Sequence, residues 1–231
     1  VNVRPNIPDV PEGIWVSRVE ASYFDTGTCY VTFDGHRSDN FEPWVFKTTD
    51  FGKTWTSLRS NLPDGQVAYV IREDRKNKDL LFLGTEFGLF ISTDGGSSWE
   101  RFMNNLPTVA VHDLMIHPIQ NDIVIGTHGR GIWICDDITP LRSMSDKIES
   151  SEAYLFDQRI ATQWNEISRG GSRGQFLFQG ENPPRGAMIS YYLKEAAEDA
   201  KLIISDWEGK QKLEVELKDQ SGINRYVWPF E

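Results

Sequence analysis

The feature that most restricts this chain is a repeat. Thr48-Thr49-Asp50-Phe51-Gly52-Lys53-Thr54-Trp55 returns 44 residues later as Ser92-Thr93-Asp94-Gly95-Gly96-Ser97-Ser98-Trp99. Asn61-Leu62-Pro63 returns at the same spacing as Asn105-Leu106-Pro107, and Asn6-Ile7-Pro8 reads as a third copy displaced by an insertion. Leu81-Phe82-Leu83-Gly84-Thr85 answers to Ile123-Val124-Ile125-Gly126-Thr127. Each is followed by a glycine-bearing turn and a second apolar run, Leu89-Phe90-Ile91 and Ile132-Trp133-Ile134. A period of roughly 20–50 residues marks units that bury their apolar faces only by stacking on neighbours.

Each unit reads as four short strands. In the middle unit they fall at 67–72, 79–84, 88–93 and 98–102. Turn-forming residues separate them: Asp74-Arg75-Lys76-Asn77, Glu86-Phe87-Gly88 and Asp94-Gly95-Gly96. Four antiparallel strands in ~44 residues is the period of a propeller blade. The heavy aromatic load, eight Trp among them, suits all-β structure with repeated packing positions.

The repeated turn has its own physics. The carboxylates of Asp50 and Asp94 accept backbone N–H groups across the turn. Gly52 and Gly96 supply positive φ. Trp55 and Trp99 cover the turn and pack between sheets. These six residues are read as structural rather than catalytic. A third copy decays: Asp137 aligns with Asp94, Thr139 stands in place of Gly96, and Arg142 in place of Trp99. Its fourth strand gives way to Thr139-Pro140-Leu141-Arg142, which starts helically with Thr as N-cap and Pro at the first helical position. An open sheet edge is a liability. The upstream chain or Ala153-Tyr154-Leu155-Phe156 is therefore expected to supply the missing strand. Three blades cannot close a ring of roughly 4–8, so further blades are expected upstream or from another copy, and the chain is read as the C-terminal piece of a larger protein.

The Ser/Thr-x-Asp-x-Gly-x-x-Trp element resembles the Asp box of sialidase-type, sortilin-type and xyloglucanase-type propellers, the BNR repeat. The run Gly126-Thr127-His128-Gly129-Arg130-Gly131-Ile132-Trp133-Ile134 resembles the end of such propellers. In the tail, strands are expected at 175–178, 189–193, 200–205, 213–217 and 222–228. The pattern Asn-Pro-x-x-Gly-x-x-Ile-x-Tyr from Asn182 to Tyr191 resembles the Ig-like modules that follow many bacterial exported propellers. The expected fold is all-β: a partial β-propeller of about three four-stranded blades, then an incomplete Ig-like β-sandwich. The expected divisions are 1–140 for the blades, 141–174 for a linker with a short helix and one strand, and 175–231 for the sandwich module. The linker includes a flexible, basic loop at 168–174.

Composition removes some functions. The net charge of −10 argues against nucleic acid held through its phosphates. No apolar run approaches the ~18 residues of a membrane span. Two cysteines, Cys29 and Cys135, are too few for a disulfide framework. They are either one bridge or two small buried apolar groups. His36, His112, His117 and His128 are scattered, with no zinc-site spacing, so no metal or cofactor is expected.

Topology places a candidate rim. In each blade the loop between the second and third strands shares one face with the link to the next blade, and the Asp-box turns share the other. The first face then carries His36, Arg37 and Asp39, then Glu86, then His128 and Arg130, together with the Asn-Leu-Pro links and His112 with Asp113. Equivalent loops with unlike chemistry on one rim of a repeat scaffold suit a binding face. His128 and Arg130, flanked by glycines, are the most site-like pair, although the same glycines serve a tight hairpin. His112 lies in an apolar strand and reads as a hydrogen-bonded core histidine. Glycoside hydrolysis needs two carboxylates roughly 5–9.5 Å apart, and Glu86 with Asp39 is the rim pair available. Arg37 and Arg130 suit a carboxylate ligand but lack a matching third arginine.

Two readings stay open. One is a non-catalytic protein- or glycan-binding scaffold. The other is the C-terminal part of a glycoside hydrolase whose carboxylates lie in upstream blades. No catalytic residue is assigned in this chain. The partners expected are upstream blades of the same protein and a glycan or peptide ligand, with no nucleic acid and no membrane span. The resemblance implies an extracytoplasmic location.

Overall fold

In a computed structural model, which describes residues 1–163, 182–210 and 212–230, the chain divides into two units, Val1–Arg142 and Ser143–Glu231. The first unit holds three successive antiparallel sheets. Sheet one contains β1 (Trp15–Ala21), β2 (Cys29–Asp34), β3 (Trp44–Thr48) and β4 (Thr56–Ser57). Sheet two contains β5 (Ala68–Glu73), β6 (Leu81–Thr85), β7 (Gly88–Ser92) and β8 (Glu100–Arg101). Sheet three contains β9 (Val111–Ile116), β10 (Ile123–Thr127) and β11 (Ile132–Cys135). Strand order follows chain order in each, as in propeller blades.

Side-chain alternation makes the middle sheet a filling between the other two. Leu81 and Leu83 join Tyr30, Val45 and Leu58 of the first sheet in one core. Phe82 and Leu80 point the other way, into a core with Val111, Leu114, Ile123 and Ile125 of the third sheet. The inner strands carry a bulge at one equivalent position, leaving Ser17, Tyr69 and His112 as the extra residues.

Both intact turns have the expected chemistry. Asp50 Oδ1 accepts the Thr54 N–H at 2.9 Å, and its Oδ2 accepts the Thr54 hydroxyl at 2.7 Å. Asp94 does the same with Ser98, at 2.9 and 2.6 Å. Thr48 and Ser92 mirror each other too, each accepting the glycine N–H of its turn. Gly52 and Gly96 sit at φ +80° and +95°. A Cβ on Gly52 would stand 3.0 Å from Val3, and one on Gly96 would stand 2.8 Å from Leu58. The preceding segment therefore presses on each turn, and glycine is needed for space as well as for φ.

The Asn-Leu-Pro repeat acquires a purpose here. Asn61 donates from its amide to Trp99 O at 2.9 Å and accepts the Trp99 N–H at 2.8 Å. Asn6 also reaches the first Asp box, but at the turn glycine rather than the tryptophan, donating to Gly52 O at 2.8 Å.

The third sheet corrects one expectation. Among the described residues it has three strands, and neither the upstream chain nor Ala153-Tyr154-Leu155-Phe156 completes it. Ala153–Leu155 forms β12 of the second unit, and Phe156 after it is buried. After Cys135 the chain enters α1 (Thr139–Ser143). The carboxylate that supports this entry belongs to Asp137, which accepts the Thr139 N–H at 3.1 Å; Thr139 is the first helical residue rather than the cap. Arg142 ends up against Asp74, whose side chain is fully buried.

In the second unit, α2 (Asp146–Glu149) is followed by β12, β13 (Ala187–Leu193), β14 (Ala197–Ser205), β15 (Lys212–Asp219) and β16 (Gly222–Trp228). β12, β13 and β16 form one sheet and β14 and β15 another. Ile189, Tyr191, Leu193, Leu202 and Leu217 form the core they share. The expected strand at 175–178 and the loop at 168–174 lie outside the described residues. Cys29 and Cys135 are half-buried and not bridged. No helix among the described residues is long and apolar enough to cross a membrane.

Candidate functional site

The inner-strand bulges and the loops between second and third strands meet at one end of the three sheets. Glu86 donates its N–H to Val67 O at 3.0 Å, and His128 donates to Ala110 O at 2.9 Å. Both acceptors lie two residues before the bulge, so each loop is fastened to the start of its inner strand in the same way. The bulge turns Tyr69 and His112 toward these loops.

A row of four rings results, with members from all three sheets. His36 lies 6.4 Å from Tyr69, Tyr69 lies 4.2 Å from His112, and His112 stacks on His128 at 5.1 Å, centroid to centroid. Two carboxylates hold the row. Asp34 Oδ1 is 2.6 Å from His36 Nδ1, and Glu86 accepts the Tyr69 hydroxyl. The three histidines are exposed and Tyr69 is buried beneath them. Burial, with the Glu86 hydrogen bond and charge, pushes the Tyr69 phenol up, so it stays a donor. Burial, followed by the neighbouring His128 and His36 charges, pushes His112 down, against the pull of Glu86 and Asp34. The row therefore offers imidazole edges and a fixed phenol–carboxylate pair.

The structure gathers His36, Glu86 and His128, and adds two residues. His112, read from sequence as a core histidine, is instead exposed and central to the row, because the bulge at its position rotates it out of the core alternation. Tyr69 was hidden in an apolar run. Its counterpart position to His112 in the repeat is the signal that reveals it.

The other rim residues are placed differently. Arg37 lies over the Trp15 ring at 5.3 Å. Asp39 closes the 3-10 turn His36–Ser38 with φ 55°. Arg130 sits in the tight hairpin its flanking glycines permit, at φ +84° and +73°, and its carbonyl accepts the Trp133 indole N–H at 3.0 Å. Asp113 turns away from His112 to pair with Arg18 and Arg72. Asn61 serves the Asp box. Among the described residues no group of three or more His, Cys, Asp and Glu is placed to hold a metal ion.

The sequence pattern of the Sortilin-Vps10 family, described as sortilin, neurotensin receptor 3, matches residues 44–227. No curated protein matches the chain. Among solved structures, a GH74 enzyme from Niastella koreensis is similar at 15% identity and TM-score 0.43, over 87% of this chain and 30% of that one. A GH74 xyloglucanase from Xanthomonas campestris is similar at 15% identity and TM-score 0.45, over 90% of this chain and 37% of that one. YCF48 from Cyanidioschyzon merolae is similar at 13% identity and TM-score 0.35, over 96% of this chain and 58% of that one. The chain thus spans less than two thirds of each of these structures.

Proposed function

The chain belongs to the Sortilin-Vps10 family, and from that premise we propose that it is a non-catalytic scaffold holding a glycan or peptide ligand on the rim built by His36, Tyr69, Glu86, His112 and His128. The observation that carries this reading is the ring row itself. Residues from three sheets converge at one end, where flat polar rings and a fixed carboxylate can stack on and hydrogen-bond a ligand. The scaffold acts outside the cytoplasm, with the tail module carried behind it.

Its partner in assembly is a preceding blade of the same kind. Val16 and Val19 on the first sheet are 51% and 61% exposed. Their counterparts in the second sheet, Ala68 and Ile71, are fully buried by the sheet before them. With Val31, Phe33 and Trp55 the two valines line an apolar cavity of about 520 Å³. A blade presenting the equivalents of Tyr30, Val45 and Leu58 would fill it.

The competing reading, part of a glycoside hydrolase, places its carboxylates in upstream blades. On this rim Glu86 is engaged with Tyr69, and the row's other carboxylate, Asp34, with His36. Binding of oligosaccharide and peptide panels by the full chain, with His112→Ala/His128→Ala as control, tests the proposal. Binding lost in the double variant, with no turnover of polysaccharides, is the expected result. Hydrolysis that Glu86→Gln abolishes would overturn it.

A further inference from the structure

The outer edge of the third sheet differs from the two edges it repeats. In sheet one β4 lies along β3, pairing Ser57 with Phe46 and Thr56 with Lys47. In sheet two β8 lies along β7, pairing Arg101 with Phe90 and Glu100 with Ile91. Each pairing runs one residue further, where Leu58 donates its N–H to Val45 O and Phe102 donates to Leu89 O, both at 2.8 Å. Among the described residues no strand lies beyond β11. Gly131 O accepts the Thr127 N–H at 3.2 Å, which makes Thr127 and Gly131 a bonded pair. By the alternation of an antiparallel ladder, Trp133 then bonds to β10, and the N–H and C=O groups of Ile132 and Ile134 point outward. An edge of this kind is a template for another strand unless a charge, a proline or a bulge blunts it. Ile132-Trp133-Ile134-Cys135 has no charge and no proline, and its register with β10 has no bulge.

The side chains on this edge state what the added strand must carry. Leu89 and Ile91, the counterparts of Ile132 and Ile134 in sheet two, are 0% and 6% exposed. Phe102, which follows β8, packs on the same core as they do. Ile132 and Ile134 are 74% and 60% exposed. Residues directly opposite on paired strands share a face, so apolar residues opposite Ile134 and Ile132 would cover both. The residue between them, opposite Trp133, takes the place that Arg101 has in sheet two and can be polar. We propose that the edge of β11 is a peptide-binding site, distinct from the histidine rim, that takes an extended segment of another protein by antiparallel strand addition. The segment carries apolar residues at alternate positions. Its main chain bonds to Ile132 and Ile134 as β8 bonds to β7, and its apolar side chains cover the two isoleucines.

Backbone NMR of the full chain, titrated with the capped hexapeptide Thr-Val-Arg-Phe-Met-Thr patterned on β8, tests this. The amides of Ile132 and Ile134 are expected to shift and to exchange with solvent more slowly, and those of Leu89 and Ile91, already covered by β8, to stay in place. N-methylation of the peptide's phenylalanine removes the N–H meant for Ile132 O and is expected to weaken binding about tenfold. Ile132→Lys puts a blunting charge on the edge and should weaken binding by a similar factor. Its unfolding midpoint should match that of the natural chain, because the side chain is exposed. His112→Ala/His128→Ala should bind the peptide as the natural chain does, which separates this edge from the rim. The proposal falls if the amides of Ile132 and Ile134 do not move, or if the N-methylated peptide or one of scrambled order binds as tightly. It also falls if both amides are protected without peptide and the chain sediments as a dimer, which would make a second copy the occupant.

Discussion

The second Asp box and the stretch that stands in its place one repeat later do the same job by opposite means. Trp99, 3% exposed, seals the middle sheet against the first. Its indole N–H reaches back to Leu58 O at 2.8 Å. One repeat on, Arg142 fastens the end of the third sheet to the middle one. Its Nε and a terminal nitrogen bind the fully buried Asp74, and another nitrogen reaches Asn121. Asn77 closes the arrangement by donating to Arg142 O at 3.1 Å. The aromatic seal is non-directional and tolerates whatever apolar surface it meets. The ion pair is directional and leaves a charge stranded when either partner goes. A repeat can therefore lose its signature residue and its outer strand while its junction with the neighbour survives.

That contrast can be broken in order of expected effect. Arg142→Ala leaves Asp74 charged and buried, and should cost about 3–5 kcal/mol in denaturant unfolding. Replacing both partners with apolar residues, Arg142→Met with Asp74→Leu, should recover only part of that loss, because Asp74 also accepts the Lys76 and Asn77 N–H groups at 2.8 and 2.9 Å. If the double variant is as unstable as the single one, the pair is more than a seal. Trp99→Ala should cost about 3–5 kcal/mol through the cavity it leaves, and no second substitution at Leu58 should rescue it. A melt unchanged by Trp99→Ala would remove the aromatic half of the comparison.

A smaller effect follows from Asp50. The Thr54 hydroxyl and N–H hold its carboxyl down at about 2, against an ordinary value of 3.8. The folded chain then binds fewer protons than the unfolded one in this window. The stabilisation is complete above 3.8 and is lost as the pH falls toward about 2. In Asp50→Asn this part of the acid-induced fall in melting temperature should be missing. An identical acid profile in both proteins would show that the turn does not depend on the charge.

What sequence reveals here divides by the range of the interaction. The Asp boxes, the strand positions in the blades and the left-handed turn glycines are set by residues close in the chain, and the repeat displays them. The shared rim of His36, Glu86 and His128 followed from topology alone, because equivalent loops must leave the same end of equivalent sheets. Tyr69 and His112 did not follow. Each is the extra residue of a bulge, and alternation counted without the bulge assigns them to the core. The Arg142–Asp74 pair is 68 residues apart in sequence and breaks the repeat rather than following it, so no period points to it. Ala153-Tyr154-Leu155 has the composition of an edge strand for either unit. It pairs with β13 of the second unit, and the following Phe156 donates its N–H to Ser190 O of the same strand at 3.1 Å.

Three sheets deliver His36, Tyr69, Glu86, His112 and His128 to one row, and imidazole NMR across a pH titration tests that row directly. His112 should titrate below its ordinary value of 6.5 because it is partly buried and faces His128. Its titration should move back upward in His128→Ala, which removes one neighbouring positive charge. A His112 that titrates at 6.5 and is unmoved by the substitution would contradict the row, and with it the ligand rim.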